Sequence, residues 1–221
     1  MTSLHIEGAP KAADGSLRPT KLVAIGVNYR AHAREMGKEL PPEPLMFLKA
    51  PSAMIGPEQP IELPGGYERI DYEAELGVVI GERLRRAEPG DAASAILGFT
   101  CINDVSVRDL QKRDGQWTRA KGFDTFCPIG PRVVSGLDPA DLRIQSRVNG
   151  EVRQDARTSD LIFSVPEILS FVSGVMTLEP GDVIATGTPS GVGPLSPGDR
   201  VEIEIEGIGV LANPVVKAPS G

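Results

Sequence analysis

Asp71-Tyr72-Glu73-Ala74-Glu75-Leu76-Gly77-Val78-Val79-Ile80 is the stretch that decides the fold. Its first half alternates, and residues i, i+2 and i+4 of a strand share a face. Asp71, Glu73 and Glu75 therefore fall on one side, and Tyr72, Ala74 and Leu76 on the other. Its second half is apolar on both faces, so the strand runs from a carboxylate-bearing end into the interior. Same-face neighbours stand ~6.5–7 Å apart at a rise of ~3.3 Å per residue, a gap two glutamates can close onto one cation. Partly buried carboxylates must protonate, pair or bind a cation.

The sequence carries its own comparison. Val201-Glu202-Ile203-Glu204-Ile205-Glu206 alternates in the same way, but with a clean apolar face throughout. It reads as a half-exposed strand without a functional role. What sets the first stretch apart is its apolar continuation, together with Asp104 at the end of a second apolar strand, Leu97 to Asn103. Three carboxylates presented this way form an all-oxygen site, which selects Mg²⁺, Mn²⁺ or Ca²⁺ over zinc.

Working outward, Lys21 to Val27 reads as a buried strand and Asn28 to Met36 as a helix closed by Gly37. Leu45 to Leu48 is a short apolar run, Pro51 to Pro60 a Pro/Gly-rich loop, Pro89 to Ala95 a short helix and Ser106 to Lys112 a helical segment. Arg132 to Val134 is short and extended. Leu142 to Val148 and Glu151 to Asp155 form a hairpin around Asn149-Gly150, a type I′ signal. Ser164-Val165-Pro166-Glu167 is a capping box whose helix runs to Gly174. Asp182 to Thr186 is a strand, and Arg200 to Glu206 with Val210 to Val215 a last hairpin. The fold class is mixed α/β with strands dominant. The chain divides into an irregular lead-in over 1–20 and a single domain over 21–221.

The 221 residues suffice for one sizeable core. A net charge of -7 argues against nucleic acid and anionic membranes as partners. Arg83, Arg85 and Arg86, flanked by Glu82 and Glu88, read as a solvated face. Cys101 and Cys127 lack metal-type spacing and read as buried free thiols, which fits a reducing cytoplasmic location. No apolar h-region lies in 1–20, and no apolar run approaches the ~18 residues of a membrane span.

The pattern Asp71-Tyr72-Glu73-Ala74-Glu75-Leu76, then Asn103-Asp104-Val105-Ser106, Lys121-Gly122-Phe123-Asp124-Thr125-Phe126 and Thr186-Gly187-Thr188-Pro189 resembles the fumarylacetoacetate hydrolase family. The likeness runs in order from about Lys21 to Val215. Within the family it is similar to the small acylpyruvate hydrolases, oxaloacetate decarboxylases and 2-hydroxyhepta-2,4-diene-1,7-dioate isomerases. Gly122 and Val107 depart from the pattern, at places where a small polar residue and alanine are expected.

The resemblance implies a β-roll with short peripheral helices, a homodimer, and a Mg²⁺ or Mn²⁺ ion held by Glu73, Glu75 and Asp104. It implies Lys121 as the active-site lysine, and Arg108, Asp109, Gln111 and Thr188 as residues that meet a small 2-oxo acid. It also implies that His32 and Glu35 form a catalytic pair. On a helix they share a face at i and i+3, so Glu35 can orient His32 to deprotonate water. The leading expectation is C–C bond hydrolysis of an acylpyruvate-like acid through an enolate. Isomerisation and decarboxylation share that enolate, and a non-catalytic β-protein that binds Ca²⁺ for stability is the rival from another class. His5 has no assigned role.

Overall fold

A computed structural model describes residues 18–37 and 39–219. Apart from 18–20, the lead-in lies outside the described residues, as does His5.

The chain forms β1 (Leu22–Gly26), α1 (Arg30–Glu35), β2 (Leu45–Lys49), β3 (Met54–Ile55), β4 (Ile61–Leu63), β5 (Ile70–Tyr72) and β6 (Ala74–Ile80). There follow α2 (Pro89–Ala92), β7 (Ile96–Asn103), β8 (Ser106–Val107), α3 (Arg108–Asp114), α4 (Thr118–Lys121) and β9 (Cys127–Val134). The remainder is β10 (Arg143–Val148), β11 (Glu151–Arg157), α5 (Val165–Val175), β12 (Val183–Ala185), β13 (Gly193–Pro194), β14 (Arg200–Ile205) and β15 (Gly209–Lys217). Strands dominate a mixed α/β fold, as expected.

A seven-stranded mixed sheet runs β2-β1-β12-β6-β7-β9-β3, a five-stranded sheet β11-β10-β14-β15-β4, and a three-stranded one β13-β5-β8. Every residue of β6 is buried, which accounts for its apolar character on both faces. β6 pairs antiparallel with both β7 and β12, and β12 pairs parallel with β1. The start of β6 therefore meets the ends of β7, β12 and β1, and the candidate site lies along this one rim of the sheet.

The hairpin over β10 and β11 forms as read, with Asn149 at φ 53° and Gly150 at φ 81°. The Ser164–Glu167 capping box opens α5. Cys101 and Cys127 are buried and free, and Arg83, Arg85 and Arg86 are exposed.

Four expectations need correction. The single strand over Asp71–Ile80 is broken at Glu73, so β5 and β6 belong to different sheets. The cause is two side-chain amides: Asn103 Oδ1 accepts from the Glu73 N–H at 3.0 Å and Gln154 Oε1 from the Ala74 N–H at 3.0 Å. Each removes a donor that a continuous ladder would use. Ser106 and Val107 are strand rather than helix, because they pair with Asp71 and Ile70. The loop over 51–60 contains β3, which pairs parallel with β9. The extended segment at 132–134 is the end of a longer strand that starts at Cys127. No helix among the described residues is long and apolar enough to cross a membrane.

Candidate active site

The break at Glu73 sets the geometry. Glu73 sits between β5 and β6, Glu75 is the second residue of β6, and Asp104 follows β7. The Asp104 N–H donates to the Glu73 carbonyl at 2.9 Å, so the two chain segments are clamped side by side. One carboxylate oxygen from each of Glu73, Glu75 and Asp104 lies within 4.8 Å of the others. All three side chains are buried, with Glu73 5% and Glu75 2% exposed.

Three cations share this space. Lys121, at the end of α4, places Nζ 2.7 Å from Glu73 Oε2 and 2.6 Å from Asp104 Oδ2. Arg108 Nη2 lies 2.6 Å from Glu73 Oε1. Lys49, the last residue of β2, donates to Asp104 Oδ1 at 2.6 Å and to the Lys121 carbonyl at 2.5 Å. Lys49 is buried and escaped the sequence reading, since a lysine closing an apolar strand resembles any surface terminus.

The environments of the carboxylates diverge. Burial pushes Glu73 up, but the charges of Lys121 and Arg108 more than offset it and hold it down at about 2. Burial pushes Glu75 well above the usual carboxylate range, and the charges of Asp104 and Glu73 add to the rise. The Gly187 N–H donates to Glu75 Oε2 at 2.8 Å, and no cation pairs with it among the described residues. Gly187 has φ +101°, and a Cβ there would stand 2.8 Å from Asn28 Cβ, so a side chain would displace the N–H that reaches Glu75. Burial opposes the charge of Lys121, yet Asp104 and Glu73 outweigh it and raise its pKa.

This donor set fits a hard divalent cation. It is all oxygen, three carboxylates converge, and Glu75 lacks a counter-charge. The cavity they line, about 20 Å³, holds one small sphere such as an ion or a water. It shares His32, Met36, Arg108, Gln111 and Trp117 with an outer cavity of about 700 Å³.

His32 is buried on α1, and its Nδ1 lies 2.9 Å from Glu35 Oε2. Glu35, 40% exposed at its side chain, also accepts from the Gly191 N–H at 3.2 Å. An ionised Glu35 keeps the ring proton on Nδ1 and leaves Nε2 as the basic nitrogen. Thr188 lines the inner cavity, and its Oγ1 accepts from Gln154 Nε2 at 2.8 Å, which leaves the hydroxyl proton to donate. Gln111 accepts from Arg108 Nη1 at 2.8 Å.

Asp109 is the expected site residue that the structure does not bring here. It lines neither cavity, and its carboxylate accepts from the N–H groups of Glu68 and Arg69 at 2.6 and 3.4 Å. It follows Arg108 by one helical position, which turns it toward the adjoining loop instead. Asp71, expected on the carboxylate face, is fully buried but binds Arg69 Nε and Arg108 Nε, each at 2.8 Å.

Together, Glu35, Asp71, Glu73, Glu75 and Asp104 line the two cavities with Arg69, Arg108, Lys112 and Lys121, and Lys49 stands behind Asp104. A hollow of similar size, about 710 Å³, lies at the start of α5, but its Asp138 and Glu167 are committed to capping the backbone.

Residues 21–216 match the fumarylacetoacetate (FAA) hydrolase C-terminal family. The chain is similar to the structure of a 2-hydroxyhepta-2,4-diene-1,7-dioate isomerase from Mycobacterium marinum, with 50% identity, 92% of this chain and 77% of that chain covered, and a TM-score of 0.86. It is similar to mitochondrial oxaloacetate tautomerase FAHD2A from Bos taurus, with 46% identity over 90% of this chain and 67% of the relative. It is also similar to a maleylpyruvate hydrolase from Sphingobium sp. SYK-6 in complex with manganese(II) and pyruvate, with 37% identity, 93% and 73% of the two chains covered, and a TM-score of 0.81.

Proposed function

The chain belongs to the fumarylacetoacetate hydrolase C-terminal family, and from that membership and the site's geometry we propose that it moves a proton on a small 2-oxo acid, interconverting keto and enol forms with the help of a Mg²⁺ or Mn²⁺ ion. The observation that carries this reading is the common cavity: His32, Lys121 and the three clustered carboxylates line one space.

Glu73, Glu75 and Asp104 would hold the ion, which would supply Lewis-acid stabilisation of negative charge on the substrate oxygens. The rest is the work of the chain's own residues. His32 Nε2 takes a proton from C3. The C–H electron pair becomes the C2–C3 double bond, and the carbonyl pair moves onto the 2-oxo oxygen, which takes up a proton from water. Lys121 and Arg108 present fixed positive charge to that oxygen as it becomes anionic. Thr188 donates its hydroxyl proton to the substrate carboxylate. Glu35 holds the His32 ring in the tautomer the step requires.

This places proton relocation ahead of the hydrolysis expected from sequence. Relatives at 46–50% identity bear tautomerase and isomerase names, and the side chains the reaction calls on line the two cavities. Hydrolysis stands second. It is favoured by the half-exposed Glu35, which opens the pair to water from the outer cavity.

Both readings meet in one assay by ultraviolet absorbance, with Mg²⁺ and with excess EDTA: the enol–keto rate of oxaloacetate beside the cleavage of acetylpyruvate to acetate and pyruvate. The expected result is an EDTA-sensitive oxaloacetate rate that falls ~100-fold or more in His32→Ala, within the usual span for a general base. An oxaloacetate rate no faster than buffer would sink the leading reading. EDTA-sensitive acetylpyruvate cleavage in that case would put hydrolysis in its place.

A further inference from the structure

We propose that Gln154 is a positioning residue: its side-chain amide fixes the Thr188 hydroxyl as a hydrogen-bond donor toward the inner cavity, so that this corner of the site receives an anionic oxygen. This rests on the reading that the carboxylate of a 2-oxo acid meets Thr188.

The local chain explains how a glutamine gets there. β11 is an edge strand, and Gln154 is its one buried residue, at 1% exposure. Burying an amide costs free energy unless it is hydrogen-bonded. The register with β10 slips between Ser146 and Arg147: Ser146 faces Gln154 and Arg147 faces Val152, so Arg153 is the extra residue of a bulge. A bulge re-aims the side chains beside it, and Gln154 reaches the start of β6 in the other sheet.

The backbone decides which end of the amide is which. Oε1 accepts from the Ala74 N–H at 3.0 Å, and Nε2 donates to the Pro189 carbonyl at 2.8 Å. A backbone N–H only donates and a carbonyl only accepts, so a flipped amide would meet a like group at both ends. Nε2 therefore gives its second proton to Thr188 Oγ1, at 2.8 Å. A threonine hydroxyl by itself can present either a lone pair or its proton. With a lone pair held by a committed donor, it meets an incoming oxygen with its proton.

The same amide anchors a loop. The Gly187 N–H reaches Glu75 and the Gly191 N–H reaches Glu35, and between them Gln154 pins Thr188 and Pro189. A Cβ on Gly191 would stand 2.2 Å from the Arg153 carbonyl oxygen, so the loop rests directly on the bulge. Residues 187–191 thus touch the carboxylate cluster, the place for the acid and the His32–Glu35 pair, and Gln154 ties them to β6.

The test is a double-mutant cycle with Thr188, read by calorimetric binding of pyruvate at saturating Mg²⁺. Gln154→Met keeps the length and loses the hydrogen bonds. It should weaken pyruvate ~3–10-fold, the span of one neutral hydrogen bond. Gln154→Glu still accepts from Ala74 but takes up the Thr188 proton. It should weaken pyruvate ~10–100-fold, the span of a hydrogen bond to a charged group. In a Thr188→Val background each loss should shrink ~3-fold or more, because residues in contact couple. Thermal unfolding checks that the variants fold, and either substitution decides the matter alone. Losses of equal size in both backgrounds overturn the proposal, since a glutamine that only packs acts without Thr188. So does a Gln154→Glu variant of wild-type affinity. Wild type that binds no pyruvate overturns the proposal together with its premise. Wild-type turnover of oxaloacetate is measured alongside. Turnover without the coupling fells only this proposal, and coupling without turnover fells only the proposed reaction.

Discussion

Glu73, in the break before β6, and Glu75, within it, stand two residues apart, as Glu202, Glu204 and Glu206 do along β14 and just past its end, in nearly the same sequence pattern. Their fates differ. The first two are buried and converge with Asp104 on one cavity. The others lie on the outer face of β14, half-buried to exposed. Glu204 pairs with Arg147 at 2.6 Å and Glu206 reaches Arg157 at 3.5 Å. β14 is likewise paired on both edges, by β10 and β15, but every second residue of it is at most half-buried, so its polar side looks to water. β6 is buried on both faces, so its polar end is confined with whatever the neighbouring strands deliver. Alternation marks which residues share a face. What packs over that face decides whether it meets solvent or a site.

The sharpest way to break this comparison is to neutralise one glutamate in each strand. Glu75→Gln should lower the Mg²⁺-dependent rate by ~100-fold or more, at least the scale of losses on removing groups that support a metal site. The same change should leave the metal-free protein as stable or more so, because Glu75 is buried without a cation. Turnover and thermal unfolding with EDTA check the two halves. A variant of undiminished rate would end the metal assignment.

The next effect is the linkage of cation and fold. At ~100 times its dissociation constant, Mg²⁺ should add ~2.7 kcal/mol to wild-type stability and nothing in Glu75→Gln. This gain has a pH sign. The raised Glu75 contributes stability to the metal-free fold that is fully present below its ordinary value near 4.5 and lost as pH rises through its raised value. The lowered Glu73 works the other way: its contribution is present above about 4.5 and lost as pH falls through about 2. A cation needs both ionised, so the Mg²⁺-induced shift in Tm should shrink as pH falls from 8 toward 5. A shift that grows over that range would contradict the assignment.

The smallest effect belongs to the control strand. Glu204→Gln should change stability by less than ~1 kcal/mol, since its ion pair with Arg147 is only half-buried and open to water, and should leave the Mg²⁺ dependence untouched. Chemical denaturation measures it.

The carboxylates, the hairpins and the capping box were legible because each is a local pattern whose residues are neighbours in sequence. The break at Glu73 was not, because it depends on amides of Asn103 and Gln154 that arrive from other strands. Lys49 was missed for the same reason. Its partner Asp104 lies 55 positions away, and nothing in Leu48-Lys49-Ala50 marks a buried cation. Asp109 shows the opposite error: a residue beside a site residue in sequence is carried elsewhere by one helical step. Arg30, two positions before His32, donates to the Asp160 and Leu161 carbonyls, whereas Trp117 lines both cavities.

Trp117 stands there because Gly26 makes room for it. A Cβ on residue 26 would come within 2.7 Å of the indole. The chain contains no other tryptophan. The protein thus carries a single indole, set in the wall shared by the inner and outer cavities. Its emission is a native optical gauge of occupancy at that threshold, readable in the unlabelled protein and free of background from any second indole.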